Sequence, residues 1–327
     1  MVQTTPRRMA AAERLPSIQG IRLSALLWVL TLAGAHPSLA GATDTFNLVQ
    51  SAPGVYVHVG RQLALTVPGH DDVANIGFIV GQQCVAVIDT GGSVAVGRAL
   101  RAAIGRTTQV PVCYVINTHV HVDHVLGNFA FASDRPSFVG HAELADAMAR
   151  SANFFMTEYP EDFSGPPIAS QVIGPDRLVE HEITLDLGER RIGLRAWPKA
   201  HTDCDLTVYD ESTGTLWTGD LLFRERLPSV DGSVKGWLAV LAEFEHLHVK
   251  LAIPGHGAPT DNLAAAVKPE RRYLQLLIGG VREELIAGKP MQEAIGEVGI
   301  AEKSHWLLWD GVHQHNVARV YQELEWE

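Results

Sequence analysis

The sequence predicts an α/β fold in which two β-sheets pack face to face and helices cover their outer surfaces. The main observation is that short runs of β-branched residues, separated by Gly or polar turns, precede a helical pattern in both halves of the chain. The composition indicates a folded protein, because 46% of the 327 residues are hydrophobic and 19% are charged. The length fits two domains, or one α/β core that carries additional helices.

Residues 1–40 have the features of an export signal. Basic residues precede an apolar run at 23–33, which is shorter than the ~20 residues that span a bilayer. Ser38 and Ala40 provide the small residues of a cleavage site. We therefore predict a periplasmic protein exported by the general secretory route and cleaved after Ala40, with an uncleaved membrane anchor as the alternative.

Charge and cysteine content narrow the classes of partner. Removal of residues 1–40, which contain four Arg and one Glu, would change the formal net charge from −11 to −14. This balance argues against a nucleic-acid partner. The three cysteines, Cys84, Cys113 and Cys204, lack a metal-site spacing and leave at least one thiol unpaired, so we expect no structural framework of disulfides.

Strands and helices follow the same order in both halves of the mature chain. In the first half we predict a helix over 94–104 and strands at 54–59, 75–80, 84–88 and 112–117. In the second half we predict a helix over 234–247 and strands at 183–187, 191–197, 205–209, 214–218 and 251–254. Several prolines indicate that residues 150–180 form a long irregular insertion, and residues 262–327 show helical patterns that are clearest over 271–286.

A dense group of potential metal ligands follows the strand that ends at Asn117. Within six residues the chain places His119, His121, Asp123 and His124. A single histidine on an apolar surface is usually a packed core residue, but each member of this group would need its own buried hydrogen-bond partner. The spacing therefore predicts a metal site, in which the turn can direct His119 and His121 at one ion and Asp123 and His124 at a second.

Three further candidate ligands each follow a strand-like segment and lie in a turn of small residues. They are His201 in the motif AHT, Asp220 in the motif TGD and His256 in the motif PGHG. Glycine in such turns permits close approach of the backbone. Taken singly, each residue could equally have a structural role, but their order after the first group favours one shared site.

Together the motifs HxHxDH, AHT, TGD and PGHG resemble those of the metallo-β-lactamase superfamily, over roughly residues 45–260. The resemblance implies a four-layer αββα sandwich that carries a dinuclear metal site. The ligands that it implies are His119, His121 and His201 for the first metal, Asp123, His124 and His256 for the second, and Asp220 as the bridge. We therefore expect a signal peptide at 1–40, a metallo-β-lactamase-fold domain at 41–261 and a C-terminal helical extension at 262–327 that packs on the same domain.

These ligands all offer nitrogen or oxygen atoms, and none is a thiolate. Two zinc ions fit the set, although iron or manganese would also be compatible. The resemblance implies a hydroxide shared by the two metals that attacks an electrophilic carbonyl or phosphorus, and Asp123 and Asp220 serve as the catalytic carboxylates. We predict a metal-dependent hydrolase, with an iron-dependent oxygenase as an alternative because related folds use similar ligands.

A narrower resemblance extends beyond the ligand motifs. The chain is similar to exported metallohydrolases associated with quinoprotein dehydrogenase systems in segments 205–210, 216–223, 227–228, 231–233, 236–237 and 321–327. The resemblance implies a periplasmic setting and a quinoprotein dehydrogenase system as partner, but it does not identify the substrate. We expect a small carbonyl or ester-like substrate and no stable membrane insertion after removal of the signal. A β-lactamase and a non-catalytic metal-dependent binding protein are the alternatives.

Other polar residues near the motifs have competing interpretations. Asp89 would support the metal loop or cap the following helix, and Asp205 would orient a ligand imidazole through a hydrogen bond or stabilise a turn. Cys204 is expected to be a packed or oxidisable thiol rather than a ligand. Two histidine pairs are expected to be exposed or to cap helix ends, namely His246 with His248 and His313 with His315.

Overall fold

The computed structural model describes residues 46–327, so the predicted signal peptide and its cleavage site lie outside the described residues. The strands are β1 (Val49–Ala52), β2 (Val55–His58), β3 (Ile76–Val80), β4 (Val85–Ile88), β5 (Val112–Ile116), β6 (Ser137–His141), β7 (Arg177–Val179), β8 (Glu182–Asp186), β9 (Arg191–Ala196), β10 (Leu206–Asp210), β11 (Thr215–Phe223) and β12 (Leu251–His256). The helices are α1 (Val94–Thr107), α2 (Val122–Val125), α3 (Leu144–Glu158), α4 (Val234–Phe244), α5 (Leu263–Ile286), α6 (Met291–Glu297) and α7 (Trp309–Leu324). Over residues 46–327, none of these helices combines the length and the apolar character needed to cross a membrane.

The strands form two mixed sheets. The first has the order β1-β2-β3-β4-β5-β6-β7, and its pairs are antiparallel as far as β4 and parallel beyond it. The second has the order β12-β11-β10-β9-β8, in which β11 and β12 are the parallel pair. Parallel neighbours present their carboxyl ends at one edge, which is where α/β sheets place ligand-binding turns. The turns after β4, β5 and β12 are therefore positioned to build a site.

Three apolar layers hold the sheets and helices together. The layer between the sheets contains Val57, Ile79 and Ile116 from the first sheet and Leu194, Val208 and Trp217 from the second. A second layer joins α1 to the outer face of the first sheet, and a third joins α4, α5 and α7 to the outer face of the second sheet. Each fully buried aliphatic side chain in these layers contributes about 1.5–3 kcal/mol. The predicted four-layer αββα fold is confirmed.

The C-terminal helices share a hydrophobic cluster with the second sheet. Leu277 of α5 and Val320 of α7 lie in the same buried cluster as Trp237 of α4 and Leu222 of β11. α7 is interrupted near its start, where Asp310 and Gly311 are not helical, and it is continuous afterwards. The extension therefore packs directly on the sandwich.

The segment predicted to be an irregular insertion is partly helical. α3 continues to Glu158 and buries Leu144, Met148 and Phe155, and the proline-rich part begins only at Pro160. Beyond that point short 3₁₀ turns at Pro160–Asp162 and Ala169–Gln171 replace regular structure, in agreement with the prediction. Prolines at 160–175 end the helix but carry no information about the chain before them.

The expectation for the cysteines is wrong in one respect. Cys84 and Cys113 form a disulfide, whereas Cys204 is a buried free thiol. Cys84 directly precedes β4 and Cys113 lies in β5, and the register of these parallel strands brings the two residues together. Because 29 residues separate them in the chain, only the strand pairing reveals their proximity.

Candidate metal centre

The predicted ligands come together at one edge of the sandwich in two adjacent clusters. The ligand atoms of each cluster lie within 4.8 Å of one another. His119 and His121 lie in the turn after β5, while Asp123 and His124 belong to α2. The first cluster is His119, His121, His201 and Asp220, and the second is Asp123, His124 and His256.

Asp220 lies between the two clusters and faces imidazoles of both. Its Oδ2 atom is 3.4 Å from His201 Nε2 and 3.3 Å from His256 Nε2. Its Oδ1 atom is 3.2 Å from His124 Nε2. One carboxylate therefore reaches ligands predicted for both metals, which is the geometry required of a bridge.

Two glycines allow this close approach. A Cβ atom on Gly255, next to His256, would lie 1.8 Å from Asp220 Oδ1, so no larger residue fits there. Gly219 has a φ of +52°, and a Cβ atom on it would lie 2.6 Å from Thr118 Cβ. The small residues of the TGD and PGHG turns thus make room for the carboxylate.

Each imidazole of the two clusters uses one ring nitrogen for an acceptor outside them. The contacts are His119 Nδ1 with Thr118 Oγ1 at 3.0 Å, His121 Nε2 with Asp231 Oδ2 at 3.0 Å, His124 Nδ1 with Asp89 Oδ2 at 2.8 Å, His201 Nδ1 with the Ser229 carbonyl at 2.7 Å, and His256 Nδ1 with the Val73 carbonyl at 2.8 Å. Such contacts fix the tautomer and the ring orientation of metal-binding histidines. The remaining nitrogen of each ring faces the clusters, where His201 Nε2 lies 3.0 Å from His121 Nδ1.

Buried atoms without hydrogen bonds show that these residues fit a metal centre. His119 Nε2, His124 Nε2 and Asp220 Oδ1 are buried, and none has a hydrogen-bond partner among residues 46–327. Leaving such atoms unsatisfied is costly, and cations at the clusters would satisfy all three. The nitrogen and oxygen donors suit zinc, iron or manganese.

The site also shifts the pKa values of its groups. Burial, followed by the neighbouring His121, lowers the pKa of His201 to about 4, so this ring is neutral at pH 7. Burial raises the pKa of Asp220, but His256 and His124 outweigh it and hold the pKa well below the usual range. For His201 and Asp220 these are the protonation states that bind a metal.

The two predicted supporting carboxylates have different roles. Asp89, at a φ of +53°, accepts hydrogen bonds from His124 Nδ1 and from the backbone and hydroxyl of Thr118, each at 2.8 Å. Ser93 rather than Asp89 caps α1. Asp205 instead accepts hydrogen bonds from Thr202, and among residues 46–327 its carboxylate has none from a ligand imidazole. Of its two predicted roles, Asp205 therefore has the structural one, stabilisation of the turn after His201.

The four histidines of the two remaining pairs have different environments in the structure. His246 and His248 are exposed, as expected. His313 is buried, bonds Tyr273 and stacks on Trp309, so the expectation of exposure is wrong for it. His315 lies in α7 with its Nε2 atom 2.9 Å from Asp231 Oδ1.

Sequence reasoning missed several residues that shape the site. Asp231 contacts His121, and Asn75 donates two hydrogen bonds to the turn around His256, at 2.8 and 2.7 Å. Arg226 is 8% exposed, its Nη1 atom lies 3.2 Å from His256 Nδ1, and within residues 46–327 no carboxylate lies within 4 Å of its guanidinium. The only sequence signal for Asp231 and Asn75 is the preference of Asp and Asn for loops. No neighbouring residue in the sequence indicates a role for Arg226.

A cavity lies near the second cluster, although none of the predicted metal ligands lines it. Residues 65–71 face residues 154–162 across a cavity of about 670 Å³. His70 Nε2 joins the two segments through a 2.8 Å contact with Asp162 Oδ2. Asp71 lines the cavity, and a Cβ atom on Gly92 would lie 2.9 Å from Asp71 Cα and 3.2 Å from Asp123 Cα, so one wall of the cavity is close to Asp123 of the second cluster.

Asp89→Asn is expected to weaken metal binding most directly at the second cluster, through His124. The amide keeps the shape of the carboxylate but holds His124 less strongly, and loss of such a partner typically costs about 10–100-fold in metal affinity. Competition with a chelator measures the change. Asp134→Asn, which alters an exposed carboxylate paired with Arg101, is the matched control. Wild-type affinity in Asp89→Asn would contradict the assigned role.

Comparison with known proteins gives one family and a set of similar folds. The profile described as "Metallo-beta-lactamase superfamily" matches residues 70–256. A double mutant of the sec-alkyl sulfatase PisA1 has a TM-score of 0.64 at 17% identity, covering 86% of this chain and 50% of that one. The metallo-beta-lactamase from Pontibacter korlensis has a TM-score of 0.56 at 18% identity, covering 70% and 98%. TMB-1 has a TM-score of 0.55 at 17% identity, covering 70% and 96%.

The sulfatase from Pseudomonas sp., described as stereoselective and inverting, gives a TM-score of 0.62 at 16% identity. This chain spans about half the length of the sulfatases, since it covers 50% of each. No curated protein sequence matches the chain. At these identities the structures establish the similarity of the folds alone.

Proposed function

Since the chain belongs to the metallo-β-lactamase superfamily and is a metal-dependent hydrolase, we propose that it is an exported dinuclear zinc enzyme that hydrolyses a small carbonyl or ester-like compound. The observation that supports this most strongly is Asp220, which faces imidazoles of both clusters. A site for one ion would not need a carboxylate that faces the imidazoles of two clusters. The proposal concerns the metal, the substrate and the compartment, because membership of the family does not specify them.

The residues of the site have distinct tasks in this reaction. Two bound divalent ions would supply Lewis acidity and lower the pKa of a water molecule so that it can act as the nucleophile. Asp220 sets the spacing between the clusters, and Asp123 orients the second cluster through its 3.3 Å approach to His256. Arg226 adds a positive charge beside His256, at the ring nitrogen that faces away from the clusters.

The cavity between residues 65–71 and 154–162 supports a small substrate. Its volume of about 670 Å³ lies within the range of small-molecule sites. Its lining combines apolar residues such as Leu65 and Phe154 with the polar groups of Tyr159 and Asp162. An ester or lactone with an apolar part fits this mixture.

A substrate panel tests the proposed reaction. Zinc-loaded protein is assayed with lactam, lactone, thioester, phosphoester and sulfate-ester substrates, with the Asp220→Asn variant as the control for contaminating activity. The expected result is turnover of a lactone or a thioester by the wild type alone. Preferential turnover of lactams would favour the β-lactamase alternative, and metal binding without turnover of any member would favour the binding protein.

Export is the second part of the proposal. The disulfide between Cys84 and Cys113 supports it, since disulfides persist in oxidising compartments such as the periplasm. Mass spectrometry of protein from the periplasm is expected to find an amino terminus near Gly41, because Ser38 and Ala40 form the predicted cleavage site. Recovery of the intact form that begins at Met1 from the cytoplasm would contradict export.

The link to a quinoprotein dehydrogenase system is the third part. It is supported by the similarity of segments 205–210, 216–223 and 321–327 to exported metallohydrolases of that setting. Deletion of the protein is expected to reduce quinoprotein-dependent oxidation by intact cells, and the Asp220→Asn variant should fail to restore it. Unchanged oxidation in the deletion strain would contradict the link to a quinoprotein system but would not affect the proposal of a hydrolase.

A further inference from the structure

The loop of residues 228–233, between β11 and α4, holds two imidazoles of the first cluster. The Ser229 carbonyl accepts the hydrogen bond from His201 Nδ1 at 2.7 Å, and Asp231 Oδ2 lies 3.0 Å from His121 Nε2. The backbone N–H groups of Asp231 and Gly232 donate to the His201 carbonyl at 3.0 and 2.6 Å. The conformation of this loop therefore sets the orientation of His121 and His201.

α7 of the C-terminal extension holds the 228–233 loop in turn. The buried amide of Asn316 donates to the Pro228 carbonyl at 2.7 Å and accepts from the Val230 N–H at 2.8 Å. Arg319 Nη2 donates to the Asp231 carbonyl at 2.6 Å. Backbone groups of this loop thus depend on side chains of α7 for their hydrogen bonds.

One carboxylate joins the helix directly to a ligand. Asp231 contacts His121 through Oδ2 at 3.0 Å and His315 of α7 through Oδ1 at 2.9 Å. Further along α7, Glu323 accepts hydrogen bonds from the Ser233 hydroxyl at 2.7 Å and the Val234 N–H at 2.8 Å. Positions 315, 316, 319 and 323 share one face of a helix, so a single surface of α7 follows the whole loop.

The second cluster lacks this connection. Its imidazoles, His124 and His256, bond Asp89 and the Val73 carbonyl. Between residues 46 and 327, α7 makes no hydrogen bond to these two imidazoles or to their acceptors. Support from α7 is therefore confined to one of the two clusters.

We propose that α7 is a positioning element of the first metal site, acting through Asp231 and Ser229 on His121 and His201. The inference rests on the metal centre proposed above and goes beyond it, because the ligand motifs themselves end at residue 257. His315 and Arg319 are the positioning residues, and neither touches a metal or the substrate. The C-terminal extension thereby becomes part of the active site as well as part of the core.

Site-selective metal binding tests this role. His315→Ala and Arg319→Met are introduced into His124→Ala protein, which retains the first site, and separately into His201→Ala protein, which retains the second. Zinc dissociation constants are measured by competition with a chromophoric chelator. We expect the constant of the first site to rise about 3- to 30-fold and that of the second to stay unchanged.

Two further variants separate positioning from general stability. Gln314→Ala removes an exposed side chain of the same helix and should leave both constants unchanged. His315→Gln keeps a donor near Asp231 and should restore much of the affinity lost in His315→Ala. Circular dichroism and thermal melting are expected to match the wild type, because the His315 side chain is 44% exposed.

Three outcomes would overturn the inference: unchanged first-site constants, an equal loss at both sites, or the same loss in Gln314→Ala. Wild-type protein that binds no ions would refute the metal centre itself, and the role of α7 with it. Normal wild-type binding together with unaffected His315→Ala and Arg319→Met variants would refute only the role of α7.

Discussion

Asp220→Asn is expected to abolish hydrolysis while the fold stays intact. The amide preserves the shape of the side chain but removes the negative charge that opposes two cations. In the wild type this carboxylate lies 3.3 Å from His256 Nε2 and 3.4 Å from His201 Nε2, so its loss disturbs both clusters. We expect kcat to fall by at least about 10²-fold, as for removal of other preorganised electrostatic groups. Steady-state kinetics on the preferred substrate measures the effect.

Metal retention in the same variant refines this expectation. The Asn form should keep some metal at the first site through His119, His121 and His201, whereas Asp220→Ala leaves a gap that water fills without neutralising the cations. Cys204→Ser is the matched control, because Cys204 is buried near Thr202 and belongs to neither cluster. Wild-type turnover by Asp220→Ala, or complete loss in Cys204→Ser, would show that the bridging residue is misassigned.

Removal of either imidazole of the second cluster is expected to reduce the protein to one bound ion. His124→Ala and His256→Ala each leave the second cluster with two donors, while the first keeps its complete set. His201→Ala is the reciprocal variant and should empty the first site instead. Elemental analysis of gel-filtered, zinc-loaded protein measures the occupancy.

Spectroscopy of cobalt-substituted protein separates the two sites in these variants. Cobalt absorption should report the remaining first site in His124→Ala and the remaining second site in His201→Ala. Circular dichroism confirms that each variant is folded. Two retained ions in both His124→Ala and His256→Ala would be incompatible with the assigned ligand sets.

The fold and the candidate ligands could be predicted because their signals are local. The strand that ends at Ile116 and the ligands His119 to His124 are neighbours in the chain, so their pattern is visible in one short segment. The turns around His201, Asp220 and His256 have the same advantage, because Gly or Ala stands beside each ligand. These turn residues can be recognised in the sequence without knowledge of tertiary contacts.

The supporting contacts could not be predicted, because they join distant parts of the chain. His256 bonds the backbone carbonyl of Val73. Because every residue has a backbone carbonyl, the sequence does not identify this acceptor. Asp231 reaches both His121 and His315 only after the sheets and α7 have packed. The sequence left two roles open for Asp205, and the contact with the nearby Thr202 shows that its carboxylate stabilises the turn.

Metal stoichiometry of the wild-type mature protein tests the dinuclear centre most directly. Protein loaded with zinc, freed of loosely bound ions by gel filtration and quantified by elemental analysis is the sample to measure. Two clusters that share Asp220 predict two zinc ions per chain. A metal-replete preparation that never exceeds one ion per chain would contradict the dinuclear centre and the bridging role of Asp220.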